Sequence, residues 1–260
     1  MFKYSLWLLK LGTVLNVYFF YQTLNLPLSS LESHLLIPAQ LLFIVSAYRC
    51  FFPVSYATNA VLHDSFLSSI FITRLLATVV EIAYIYQFSY LIRLFNQHVY
   101  VFVDMFSWLM VIQVCISQCF VWCAIFMGRL KYYFYEELGW FVIFLLNTIA
   151  SIILLLNIDI MNNHELLLQI NLLFGFLYLP WQFFHLKNLH LRSNNQEVIA
   201  NFHSPISKLE IMKGLHKSIK LKIPSIESRD WGGVIGMTWM VSYWATIIPG
   251  WLYLIIQTIH

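Results

Sequence analysis

The sequence predicts an all-α integral membrane protein: a bundle of about seven transmembrane helices, amino end cytoplasmic and carboxyl end external. Three observations predict it. Hydrophobic residues fill 60% of the 260 positions and charged ones 10%, against about 25% charged in a soluble domain. The apolar residues gather in seven stretches, 4–23, 35–53, 67–94, 99–128, 136–158, 166–186 and 232–258, each near the roughly 20 residues that a helix needs to cross about 30 Å of hydrocarbon. Thirteen of the 15 Lys and Arg residues then fall on one side of the resulting arrangement. Long unbroken apolar runs such as Phe141 to Leu156 exclude the alternation of a membrane barrel. Little chain is left between the stretches, so residues 1–260 read as a single polytopic membrane domain.

The first stretch follows Lys3 and lacks a small-residue cleavage site, so it reads as a retained helix rather than a signal peptide. With seven spans, the amino end and the second, fourth and sixth loops share one side. Lys3, Lys10, Arg49, Arg129, Lys131, Lys187, Arg192, Lys208, Lys213, Lys217, Lys220, Lys222 and Arg229 lie there. Arg74 is within a helix, Arg93 lies opposite, and Glu32, Asp159 and Glu165 occupy the first and fifth loops. The positive-inside rule makes the crowded side cytoplasmic. The net charge of +3 is therefore a matter of topology and implies no nucleic-acid partner. The few external residues and short loops favour a bacterial inner membrane over the endoplasmic reticulum.

The second loop carries His63-Asp64-Ser65. Asp64-Ser65 suits a helix N-cap, Asp64 before Ser65, and His63 is a candidate acid/base. The third span contains Arg74, Thr78 and Glu81 on one helical face. A charge at a span centre costs about 2.5–3.5 kcal/mol on insertion scales, so such residues face a bundle interior or water. Arg74 and Glu81 are separated by about 10 Å along the axis, leaving room for a ligand, water or another helix between them. A structural polar clamp is the competing reading.

In the fourth span Cys115, Cys119 and Cys123 form a small-residue stripe suited to close helix packing. Glu136 and Glu137 open the fifth, where acids favour the helix dipole; at most one faces inward. In the sixth, Pro180 should kink the helix just before Gln182 and His185. The basic loop 187–231 follows. Within it, residues 204–222 suit a short amphipathic helix on anionic headgroups, with Ser207 and Glu210 at capping-box spacing and Ile206, Leu209, Met212, Leu215 and Ile219 along one face. Gly214 weakens it. Trp residues, Trp239 among them, mark the interfaces, and Pro249-Gly250 bends the outer end of the last span.

Four cysteines, none clearly external, give no disulfide framework. No phosphate loop, dinucleotide motif or zinc-protease motif occurs, the nine histidines show no metal-ligand spacing, and no cofactor is indicated. The leading expectation is a membrane-embedded enzyme acting on a lipid or isoprenoid-like substrate at the cytoplasmic leaflet. Arg74, Arg49, Thr78 and Gln182 are its candidate binding residues, the arginines for an anionic headgroup or phosphate. Glu81, Glu137, His63 and His185 are the candidate acids and bases. A small proton-coupled transporter and a non-catalytic membrane partner or assembly factor are the alternatives. The partners expected are membrane lipids; oligomeric state is not indicated.

Overall fold

A computed structural model describes residues 2–26, 30–56, 58–157, 162–200 and 208–259. Asp159, Ile206 and Ser207, and with Ser207 the capping box, lie outside the described residues, as do the side chains of Lys3, Glu32 and Trp239. Of the described residues 87% are helical, and six helices among them are long and apolar enough to cross a membrane. The protein is thus an all-α, multi-pass membrane protein. The long elements are α1 (Phe2–Leu24), α2 (Ser30–Phe51), α3 (Ile70–Asn96), α4 (Val101–Met127), α5 (Leu130–Asn157), α6 (Asn162–Ala200) and α7 (Lys208–Lys220). The last span, Gly236–Gln257, is composite: α8 (Gly233–Val241), a π-helical segment (Ser242–Ile247) and α9 (Ile248–Ile259). The six exclude α1.

Exposure departs from that of a water-soluble fold, with large apolar side chains facing outward and polar ones among the buried residues. On α4, Ser107, Ser117 and Gln118 are buried while Val101, Met105, Trp108 and Ile112 are exposed. On α1, Leu9, Gly12, Asn16 and Thr23 form the buried stripe, and Trp7, Leu11, Val14 and Tyr18 face outward. Hydrocarbon outside makes this arrangement stable, because polar groups then find partners only inside the bundle.

The chain forms two compact units, Met1–Tyr84 with His216–His260, and Ile85–Leu215. In the first, α1 packs on α2, on α8 and on the π segment. A Cβ at Gly12 would collide with Ala245, so only glycine permits that approach. The connection from α2 to α3 folds as a small hairpin, β1 (Val54–Ser55) and β2 (Ala60–Val61), turned through Asn59 with a positive φ of 58°. β3 (Ile223–Pro224) joins β2 in parallel, pairing Ala60 with Ile223 and Val61 with Pro224. Loop 187–231 is therefore not a free loop. α6 extends through Pro180 to Ala200, α7 follows, and the segment beyond is sewn to the hairpin.

In the second unit α4, α5 and α6 pack in sequence. Small residues set the spacing: a Cβ at Gly139 would strike Ser117, and one at Gly175 would strike Thr148. A polar seam links α5 to α6, Asn147 donating to Asn171 Oδ1 at 2.6 Å and Asn171 to Ser151 Oγ at 2.8 Å. Cys115 and Cys119 are exposed, so the cysteine stripe does not pack helices; Ser107, Val114, Ser117 and Val121 form the buried face instead. Gly214 of α7 lies against the Phe126 carbonyl, where a Cβ would collide, so this glycine serves packing at some cost in helix propensity.

Two helix starts differ from expectation. α5 begins at Leu130, more than a turn before Glu136 and Glu137, so neither is a first-turn acid. Capping before α3 falls to serines: Ser65 accepts from Ser68 N and Ser69 Oγ from Ile72 N, both at 3.3 Å. Asp64 points to solvent, 3.9 Å from Lys222 Nζ, because the short 3-10 turn Phe66–Ser68 interposes itself between Asp64 and the helix.

Candidate functional site

Charged residues gather in the first unit where α2 ends and α3 begins. The side chain of Arg74 reaches down two turns to Glu81, Nη2 to Oε2 at 2.7 Å, with both residues buried. The two side chains meet directly: a long arginine spans the axial separation. Thr78 lies between them in sequence and is half-buried. Arg49, in the last turn of α2, is 4% exposed. Its Nε and Nη1 have no hydrogen-bond partner among the described residues. Its guanidinium instead sits 5.1 Å from the ring centre of Tyr56 and 5.2 Å from that of Trp244. Arg74 approaches the same Tyr56 ring at 5.9 Å. The Tyr56 hydroxyl is also buried without a partner among the described residues.

Arg49, Arg74 and Glu81, two guanidiniums and one carboxylate, sum to a formal charge of +1. Aromatic faces offset part of the cost of burying a cation, about 0.5–2 kcal/mol per contact. Each buried donor left without an acceptor costs about 1–3 kcal/mol. The cluster is thus an expensive arrangement, with buried N–H and O–H donors left unmatched among the described residues.

Distant parts of the chain build it. Tyr56 sits at the end of β1, and the hairpin is held by β3, by Thr58 Oγ1 donating to the Asp230 carbonyl, and by Ser225 N donating to Val61 O at 3.1 Å. Trp231 Nε1 donates to Ser225 O at 3.0 Å, closing the second strand of that support. Trp244 is carried by the π segment. Asn16 of α1, fully buried, donates to the Trp244 carbonyl at 3.0 Å and to Gly12 O at 2.8 Å. π-Helical turns leave the regular ladder and occur often at functional sites; Pro249, which has no N–H, follows this one.

His63 lies in the same connection. Lys10 Nζ is 2.8 Å from its Nε2, donates to Phe51 O at 2.9 Å and lies 4.1 Å above the Phe51 ring. An ammonium only donates, so Nε2 accepts and the neutral ring carries its proton on Nδ1. Burial, and then the Lys10 charge, lower the His63 pKa. Lys10 thereby ties α1 to the carbonyl end of α2, a favourable place for a cation.

The second unit holds the remaining candidates. Gln182 Nε2 donates to the Glu137 carbonyl at 2.9 Å and to its carboxylate Oε2 at 2.8 Å. Glu137 Oε1 faces His185 Nε2 at 4.0 Å. The imidazole is stacked on Trp181, ring centres 5.2 Å apart and planes 4° from parallel. Glu136 is buried and Glu137 half-exposed, as adjacent helical positions require. A carboxylate oriented by an amide beside an imidazole can exchange a proton with it or with a bound hydroxyl.

Residue spacing pointed to Arg74, Glu81, Glu137, Gln182 and His185, and the fold joins them as one pair and one trio. It did not point to Tyr56, Trp244, Asn16 or Lys10, whose roles depend on contacts far along the chain; the one available signal was an asparagine and a lysine inside an apolar first helix. Among the described residues no group of three or more His, Cys, Asp or Glu comes together to hold a metal ion. No family model, curated protein or solved structure matches the chain.

Proposed function

We propose that the protein is a membrane-embedded enzyme acting on a lipid or isoprenoid-like substrate at the cytoplasmic leaflet. The observation that carries this reading is the buried Arg49, Arg74 and Glu81 cluster inside an apolar helical unit, since ionisable groups within membrane helices mark functional sites. Arg49 and Arg74 bind the substrate's anionic group, and Glu81 is the partner that holds Arg74 in place. Two sets of side chains are the candidates for proton transfer: Glu81 itself with His63 in the first unit, and Glu137 with His185 and Gln182 in the second.

The topology proposed with it has seven spans, amino end in the cytoplasm, in a bacterial inner membrane. The outward apolar face of α1 supports the seventh span, and the thirteen Lys and Arg residues on one side support the orientation. α7 is proposed to lie on anionic headgroups. Leu209 and Met212 are exposed on it beside Lys208 and Lys213, the composition of an interfacial helix.

The test is lipid and small-molecule mass spectrometry of membranes expressing wild type, Glu81→Gln or Glu137→Gln, matched for folded protein. A species that appears or disappears with wild type, and is lost in one variant, identifies the substrate class and the proton-transfer group. Identical profiles in the host where the wild type is active would refute an enzyme and favour a proton-coupled carrier, for which Arg74 and Glu81 line the pathway.

A further inference from the structure

We infer that Arg49, Tyr56 and Arg74 form an oxyanion-binding site whose ligand is a phosphate group, either on a lipid headgroup or free. The inference rests on the substrate reading above for what the ligand is used for, but the site is argued from its own geometry. Three features converge. Arg49 is 4% exposed with Nε and Nη1 unmatched by any acceptor among the described residues. The Tyr56 hydroxyl is buried and likewise unmatched. Both arginines pack against that same tyrosine, Cζ to ring centre 5.1 and 5.9 Å.

Packing alone does not call for these groups. A structural cation at Arg49 would be matched by hydrogen-bond acceptors, as Arg74 is matched by Glu81 and as Arg93 is by the hydroxyls of Ser89 and Ser107. A structural aromatic at position 56 would serve equally as phenylalanine. What the cluster offers is a set of N–H and O–H donors, a surplus positive charge and a dry surround. A phosphate uses all three, because its several oxygens accept from more than one donor at once and its charge complements the surplus. The Arg49 guanidinium lies over the rings of Tyr56 and Trp244, and its Nε and Nη1 donors are the ones offered to the ligand. The hairpin that carries Tyr56 is clamped by β3 and Thr58, so the hydroxyl is positioned before the ligand arrives.

The experiment uses the purified full-length protein in phosphatidylcholine nanodiscs. Inorganic phosphate is titrated by calorimetry, and phosphatidic acid is added to the nanodiscs and its retention read by native mass spectrometry. Wild type binds at least one probe. Arg49→Gln weakens that binding by at least about 10-fold, as loss of charge-assisted hydrogen bonds requires. Tyr56→Phe weakens it by about 2- to 10-fold while its melting temperature is unchanged or higher, because the hydroxyl it removes has no partner to lose. That opposition of affinity and stability is what a merely structural tyrosine would not show. Arg229→Gln, at an exposed position, leaves both readouts unchanged.

Retention of phosphatidic acid without phosphate binding assigns the lipid headgroup; phosphate binding without lipid selectivity assigns the free anion. Failure of folded wild type to bind either probe, or equal binding by Arg49→Gln, overturns the site. Binding that depends on Arg49 together with unchanged lipid profiles in cells keeps the site and removes the enzyme. Altered lipid profiles with no such binding do the reverse.

Discussion

Asn16 donates through its side-chain amide to the backbone carbonyl of Trp244, 228 positions further along the chain, at 3.0 Å. The same amide nitrogen serves Gly12 O at 2.8 Å, one turn earlier in its own helix. One buried side chain therefore joins the first helix to the π turn that presents Trp244 to Arg49. Asn16→Leu removes this link and leaves a carbonyl short of its donor. The expected cost is about 1–3 kcal/mol, seen as a lower melting temperature in detergent. The same variant should weaken phosphate binding, while Asn157→Leu at an exposed helix end should do neither. A melting temperature equal to wild type for Asn16→Leu would show that the link is not needed.

The Arg74 and Glu81 pair invites a double-mutant cycle. Removing one partner of a buried pair strands the other charge, which costs about 3–5 kcal/mol. Arg74→Met and Glu81→Leu should each destabilise strongly, and the double variant should be more stable than either single one. Chemical or thermal unfolding of the four proteins measures this. Simple additivity of the two single effects would mean that the charges are not coupled.

His63 sets a pH dependence. Its folded pKa lies below its ordinary value, by burial first and by the Lys10 ammonium second. The folded state therefore favours the neutral ring. The unfolded chain binds more protons through the window just below the ordinary histidine value, about 6.5, so stability is retained above that pH and lost as pH falls toward the folded pKa. The midpoint of unfolding should decline across this window in wild type and decline less in His63→Gln. Proton NMR of the ring in Lys10→Met should show the His63 pKa move upward. An unchanged pKa in that variant would detach Lys10 from the effect.

Gly139 and Gly214 test close packing in the second unit. A side chain at Gly139 meets Ser117, and one at Gly214 meets the Phe126 backbone carbonyl. The serine side chain can rotate away, whereas the carbonyl belongs to the α4 backbone. Gly139→Ala should cost roughly 1–3 kcal/mol. Gly214→Ala should cost at least as much despite alanine's higher helix propensity of about 1 kcal/mol. Protease susceptibility at Lys213 and Lys217 should rise in Gly214→Ala; unaltered cleavage would mean α7 does not rest on that carbonyl.

The helical spans could be read from the chain because an apolar run of span length has few alternatives in hydrocarbon. The face shared by Arg74, Thr78 and Glu81, and the inward placement of only one of Glu136 and Glu137, follow from helical periodicity. Periodicity speaks only of neighbours a few residues apart. It left the reach of the Arg74 side chain undetermined, so the pair closed where a gap was expected. It misplaced the cap at Asp64 because a 3-10 turn of three residues has too little pattern to show. It treated Gly214 as a flaw in a helix, when the glycine is set by a backbone atom on another one.

By itself the sequence determined an all-α, multi-pass membrane protein and the helices on which the charged and polar residues lie, because hydropathy and helical period are local properties of the chain. Tertiary structure decided which of those residues meet. Arg49, Tyr56 and Trp244 come from a helix end, a hairpin and a π turn, brought together by β3, Thr58 and Asn16 across long separations. Such contacts are set by packing and hydrogen-bond geometry among several elements at once. No local pattern encodes them, and so the cluster of Arg49, Tyr56 and Trp244 is visible only in the folded chain.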